Sequence, residues 1–373
     1  MQNTFREEFY IPKLEKMTIK LYFIVVWITV LINLFIVQGT MQAVFADDAF
    51  LGTTLDSCIQ TLSDENQWDL TTKKIRGIIT ADDDLYLCTE LVGALRDDRI
   101  PSVLALVGKI SYLTRNFSLN RQRDFSDNFV AITLVRIGES AIYPLLEVRS
   151  KGRGSIFFQG SELYFRYALP KESAYAIIDD YIEDNKEVFK AEQVENLNDL
   201  KTRLANKYKI ENDQLTPLSQ KTRNHPLYLE RRLLISENLS VLGEDEKVFH
   251  ATKKLGVLRA VEAVRPLVPL LLLKPETVVN NEINERFDTI KDYPAAIALA
   301  QIGIPSIWGL LEEIAANDHD DTYLEVAYKT MTVILPGVAI PGFVNETIKK
   351  QKDKVAQLRL YKLYPLMGLP IPE

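Results

Sequence analysis

Apolar positions recur along this chain at helical rather than strand spacing. In "AITLVRIGESAIYPLLE", Ala131–Glu147, the residues Ala131, Ile132, Leu134, Val135 and Ile137 form a dense apolar block whose single charge is Arg136. That density suits a buried helix. Gly138 follows, and glycine just past a helix end enters the left-handed region without a steric penalty. Ile142, Leu145, Leu146 and Val148 then recur at a second helical spacing. Pro144 falls in the first turn of that stretch, where its missing N–H is no loss. The pattern predicts a helix, a glycine turn with Glu139 and Ser140, and a second helix.

"AIALAQIGIPSIWGLLE", Ala296–Glu312, repeats the pattern 165 residues later, with nine identities in 17 positions. Here Gly303 ends the first helix, Pro305 opens the second, and Ile307, Leu310 and Leu311 form the stripe. Two looser copies share the logic: "LVGALRDDRIPSVLALV", Leu91–Val107, with Gly93 and Pro101, and "LGVLRAVEAVRPLVPLLL", Leu255–Leu272, with Gly256 and Pro266. Glycines 93, 138, 256 and 303 lie 45, 118 and 47 residues apart, and the 165-residue offset holds four units of about 41. One helix pair cannot bury its apolar stripe alone. Stacked pairs bury it against each other, each touching only its neighbours.

These stretches resemble HEAT repeats, in particular the short bacterial type first associated with phycobilisome lyases. That pattern is an apolar helix, a glycine, an acidic or small turn, then A-V-x-x-L-x-x-L. "LRDDRIPSVLALV" and "LRAVEAVRPLVPLLL" carry the resemblance, which is clear over about 90 residues and looser across about 85–340. Residues 160–250 lack the glycine-turn signature and depart from it. The resemblance implies an all-α fold, an α-solenoid of stacked helix pairs of the HEAT-like or armadillo type, over residues 91–350. Residues 47–90 are then an N-terminal helical cap, and 351–373 a helix end and a Pro-rich tail. On activity the resemblance is almost silent. It implies that second helices line the concave face, which makes Glu147 and Glu312, at equivalent second-helix places, candidate partner contacts.

Between the copies, residues 183–224 are polar, and Val194, Leu197, Leu200, Leu204 and Tyr208 keep a helical spacing that predicts one long exposed helix. "RSKGRGS", 149–155, reads as a flexible basic linker. Its unopposed Arg149, Lys151 and Arg153 are candidates for an anionic partner, against the plainer reading of a solvated connection.

The N-terminus follows a different pattern. No charge occurs from Leu21 to Ala46, Lys13, Lys16 and Lys20 precede that run, and Val44–Phe45–Ala46 followed by Asp47–Asp48 reads as a cleavage site. This order predicts a secretory signal peptide over residues 1–46. Six acids, from Asp47 to Asp69, come before the next base, Lys73, so the remainder is expected outside the cytoplasm, periplasmic or secreted. The rival is an uncleaved anchor over 21–46, the one route by which the chain meets a membrane. Met17 opens a compact signal of its own, so residues 1–16 are a candidate mis-assigned start. Cleavage after Ala46 takes the net charge from −7 to −8. No cysteine directly follows the apolar run, and a lipid-anchored form is not indicated.

Composition narrows the function classes. The chain has 373 residues, of which 47% are hydrophobic and 25% charged, with a net charge of −7. An acidic surface lacks the basic footprint that nucleic acids or anionic lipids need. Two cysteines in an exported chain, Cys58 and Cys88, form a candidate disulfide closing a loop of about 30 residues; the alternative is two buried free thiols. None of the three histidines, His225, His250 and His319, has a second histidine at ligand spacing. "NDHDD" at Asn317–Asp321 and "ADDD" at Ala81–Asp84 are acidic enough to attract a cation, but read better as a turn and a helix start. Phe157, Phe158, Tyr164, Phe165 and Tyr167 form either a core cluster or an interaction surface. Asn116, Asn238 and Asn345 are glycan acceptors only in a host that uses them.

No nucleophile elbow, phosphate loop or paired metal-binding motif stands out, and no cofactor or metal is expected. Three functions fit: an exported, non-catalytic scaffold or adaptor that holds a protein partner; an enzyme or enzyme subunit, as the lyase resemblance permits; and a structural subunit of an envelope assembly.

Overall fold

The computed structural model describes residues 54–68, 84–110, 128–152, 155–205, 217–244, 247–274 and 285–372. Thr54–Glu373 form one unit. The predicted signal segment, its Met17 alternative, Arg153, Asn116 and Ala81–Asp83 lie outside the described residues, and of Phe157 and Phe158 only the helical backbone is described.

Every regular element among the described residues is a helix, so the fold is all-α. In chain order they are α1 (Leu55–Ser63), α2 (Asp84–Leu95), α3 (Ile100–Lys109), α4 (Phe129–Ile137), α5 (Ile142–Ser150), α6 (Ser155–Ala168), α7 (Lys171–Asp184) and α8 (Ala191–Ala205). They continue with α9 (Gln220–Asn224), α10 (Pro226–Ser240), α11 (Val248–Val257), α12 (Val264–Leu267), α13 (Pro294–Ile302), α14 (Ile304–Ala316), α15 (Asp321–Ile334), α16 (Ile340–Lys350) and α17 (Lys354–Tyr361). Short 3-10 turns lead into α5, α12 and α16.

Two runs of helices pack in the same way. In the first, α2, α4 and α6 lie side by side while α3 packs on α5. In the second, α11, α13 and α15 lie side by side while α12 packs on α14. α1 closes the start of the first run and α10 the start of the second. The central helices α2, α4 and α13 are apolar on nearly every side and buried accordingly. Caps set their ends. Thr54 starts α1 by accepting from Ser57 N–H at 3.1 Å. Asn128 starts α4 by accepting from Ala131 N–H at 2.8 Å, while its amide donates to the Ile110 carbonyl at 3.1 Å.

Three expectations change. The helix expected around Val194–Tyr208 is present as α8 (Ala191–Ala205), but it is not exposed: it packs on α5, α6 and α7 and buries Leu197, Leu200 and Leu204, while Tyr208 lies outside the described residues. Gly93 and Gly256 do not stop their helices. Both lie inside α2 and α11 and leave room for a neighbour: a Cβ on Gly93 would stand 3.0 Å from Thr133 Cγ2, and one on Gly256 3.0 Å from Ala298 Cβ. Finally, the helix pairs do not touch only their neighbours. The two runs meet through α9 and α10 against α2, through α7 against α16, and through the turns described next.

Among the described residues no single helix is long and apolar enough to cross a membrane. Two bent pairs, α4 with α5 and α15 with α16, match by length and composition alone. Most apolar residues of both pairs belong to the core, with Tyr143 and Val338 exposed.

Candidate functional site

The turns of the two runs face each other. α2 and α11 end in the same way, with Arg96 N–H donating to the Gly93 carbonyl at 3.1 Å and Asp97 N–H to Val92 at 3.0 Å. Arg259 N–H donates to Gly256 at 2.8 Å and Ala260 N–H to Leu255 at 3.1 Å. This is the Schellman helix end, whose left-handed position usually belongs to glycine. Here it is held by arginine, at φ 56° and φ 49°, and among the described residues no other non-glycine residue has a positive φ. A left-handed residue with a side chain costs about 1–2 kcal/mol.

The side chains explain why the cost is tolerated. Arg96 crosses to the second run and donates from Nη2 to the Ile302 carbonyl at 2.8 Å. Arg259 crosses to the first run and donates from Nη2 to the Ile137 carbonyl at 3.0 Å. Ile137 and Ile302 are the last residues of α4 and α13, so the same exchange occurs in both directions. Gly138 and Gly303 follow them at φ 97° and 89°, a region open to glycine, and the crossing groups fill the space a Cβ would need. A Cβ on Gly138 would stand 3.3 Å from Arg96 Nη2, and one on Gly303 would strike the Glu139 carboxylate.

Glu139 breaks the symmetry. Its carboxylate accepts from Arg259 Nη2 at 3.0 Å and from Ile304 N–H at 3.4 Å, and its side chain is 10% exposed. Arg259 also pairs with Asp98 at 2.6 Å. Arg231, buried on α10, donates to the Leu258 carbonyl at 2.8 Å, and Tyr164 donates its hydroxyl to the Gly138 carbonyl at 2.7 Å. Burial, and then the neighbouring Arg259 charge, push Arg96 down to about 10, and it stays a cation at neutral pH. The junction is therefore a clamp of guanidinium groups on carbonyls, on the buried Glu139 carboxylate and on the half-exposed Asp98.

The sequence candidates lie elsewhere. Cys58 and Cys88 are joined in a disulfide, with Cα atoms 4.8 Å apart, linking α1 to α2. Glu147 is exposed on α5 and pairs with Lys151 at 2.5 Å, and Glu312 is exposed on α14. Arg149 is not available to a partner. Its side chain is fully buried, Nη2 pairs with Asp199 at 2.7 Å, and Nε donates to the Asn196 carbonyl at 3.2 Å, so it docks α8 on α5. The sequence reading of 149–155 as a linker missed this because α5 extends to Ser150 and turns Arg149 inward. Tyr164 and Phe165 are core residues. Asn238 and Asn345 are engaged within the chain, Asn238 by the Leu234 carbonyl at 2.7 Å and Asn345 by the Tyr364 hydroxyl at 2.7 Å.

In "NDHDD", Asp320 caps α15 by accepting from Tyr323 N–H at 2.8 Å, and Asp318 pairs with Lys362 at 2.6 Å. His319 stacks on Tyr323 and lies 3.3 Å from Glu313. These are helix-start contacts. Among the described residues no three His, Cys, Asp or Glu side chains group as metal ligands.

Large apolar side chains are exposed at several places among the described residues, Leu229 and Leu233 on α10 and Val355 and Leu358 on α17 among them, and those of α3 stand on the helix with the fewest charges of the three. α3 is "IPSVLALVGK", with no charge before Lys109. Its inner side packs in the core, yet Ile100 is 72% and Leu104 50% exposed, and a Cβ on Gly108, one turn further, would meet nothing. Tyr143 on the adjoining α5 is 46% exposed. Ion pairs border this face: Asp56–Arg99 at 2.6 Å and Glu65–Lys109 on the α1 side, and Glu147–Lys151 on the α5 side. No family model, curated protein or solved structure matches the chain.

Proposed function

We propose that this chain is an exported protein-binding scaffold of HEAT-like helix pairs, with no catalytic step of its own. The carrying observation is the face of α3. A helix apolar on all sides is ordinarily buried on all sides, and α3 leaves Ile100 and Leu104 in solvent beside Tyr143. An apolar centre bordered by ion-paired charges is the anatomy of a protein interface. Glu147, one turn beyond Tyr143 on α5, is exposed as well.

Three further features support the reading. The two runs repeat one packing scheme, as a solenoid of duplicated units does. The arginine clamp ties the runs together and gives a partner a preorganised surface. The Cys58–Cys88 disulfide suits an oxidising compartment, consistent with the export signal in the sequence.

Cross-linking of a tagged chain in its native host, followed by capture and mass spectrometry, tests this. The scaffold reading expects one dominant partner in near-equal amount, lost in a Leu104→Asp, Tyr143→Asp double variant that is still exported and folded. A correctly exported wild-type chain with no reproducible partner would refute it.

A further inference from the structure

His225 sits where the two runs are latched together. It is 1% exposed, between α9 and α10. Its Nδ1 accepts from Leu227 N–H at 3.3 Å and so caps the 15-residue α10, while its Nε2 has no partner. α9 is held to α2 by Glu90, which is 5% exposed and accepts from Ser219 N–H at 3.0 Å, from Ser219 Oγ, and from Thr222 Oγ1 at 2.6 Å. α10 is held to α11 by Arg231 on the Leu258 carbonyl. One segment, 219–240, therefore bridges the starts of both runs, and His225 is its pivot.

We propose that this segment is a proton-operated latch, closed while His225 is neutral and opened by its protonation. Three penalties act together on the cation. A proton on Nδ1 turns the cap's acceptor into a donor facing the Leu227 N–H. The added charge sits at the positive end of a helix dipole. It is also buried without a counter-charge.

The charged groups of the surrounding elements offer no relief. On α2, Glu90 is engaged by Ser219 and Thr222, with Arg136 of α4 at 3.9 Å. On α10, Arg231 is itself a cation and Glu230 is exposed. On α9, Lys221 and Arg223 are cations. Glu262, which follows α11, acts on Arg231. Burial accordingly pushes the His225 imidazole below its ordinary value.

The sign follows from linkage. A histidine whose folded-state value is depressed stabilises the closed form fully above its free value of about 6.5, and that stability is lost as pH falls below it. Opening of the latch should rise about tenfold for each pH unit below about 6.5, until the closed-state value is reached.

Hydrogen exchange of peptides spanning 219–240, corrected for intrinsic rates, tests this on the mature chain between pH 7.5 and 5. The wild type should show the tenfold-per-unit slope in these peptides and not in α13–α14. His225→Asn keeps a capping side chain that does not titrate and should abolish the slope. A slope unchanged in H225N, a slope removed by Glu90→Gln and not by H225N, or no pH dependence in the wild type would each overturn the proposal.

Discussion

Replacing Arg259 by alanine removes the clamp from one side. The guanidinium is 10% exposed and holds the Ile137 carbonyl, the Glu139 carboxylate and Asp98 at 3.0, 3.0 and 2.6 Å. Without it, Glu139 keeps a desolvated charge whose remaining donor is Ile304 N–H at 3.4 Å. Breaking a buried pair from one side costs about 3–5 kcal/mol, because the other charge stays buried. The backbone adds a sharper test. At φ 49° alanine keeps the left-handed penalty, whereas glycine escapes about 1 kcal/mol of it. Arg259→Gly should therefore be less destabilising than Arg259→Ala by about 1 kcal/mol, the reverse of the usual helical order. Urea unfolding of a chain shortened to residues 47–373, read by far-UV circular dichroism, supplies both values. A loss below about 1 kcal/mol in R259A, or R259A no less stable than R259G, would refute the clamp.

Three further predictions concern single covalent or steric features. Reduction, or a Cys58→Ser, Cys88→Ser variant, should lower stability by about 3–4 kcal/mol, the chain-entropy value for a loop closed across about 30 residues; thiol titration of the denatured, unreduced chain should find no free thiol. Gly303→Ala should cost at least about 2 kcal/mol, since its φ of 89° is strained for alanine and its Cβ meets Glu139. Gly108→Ala, in open space on α3, should instead gain about 0.5–1 kcal/mol in the same titration.

The helix–glycine–helix units were legible because burial and turn chemistry leave local marks. Ala131–Glu147 and Ala296–Glu312 show both their apolar blocks and the glycines at 138 and 303. The four glycines looked like one repeated feature, yet they do two jobs. Gly138 and Gly303 turn the chain, while Gly93 and Gly256 admit a neighbouring helix. The left-handed turns after α2 and α11 belong to Arg96 and Arg259. Their trace in the sequence is a Leu-Arg pair ending two helices with a glycine three residues before the arginine, Leu95–Arg96 and Leu258–Arg259. A local pattern shows the pair but not its target, because the partner carbonyls are 206 and 122 residues away. Arg149 was misplaced for the same reason: its partner Asp199 is brought to it by α8, from 50 residues along the chain. The open face of α3 was hidden as well, since an all-apolar helix reads in sequence as an all-buried one.

The central structural claim is that two repeated helix runs are pinned into one cooperative body by their facing turns. Trp68 stands in the first run, in the α1–α2 region, and Trp308 in the second, on α14. Trp68→Phe and Trp308→Phe variants of a chain shortened to residues 47–373, which removes Trp27, therefore report each run alone by fluorescence. The clamp predicts a single transition in urea, with coincident midpoints for the two probes that separate when Arg96 and Arg259 are both replaced by alanine. Separate midpoints in the otherwise unaltered chain would mean that the runs unfold independently and that the turns do not bind them.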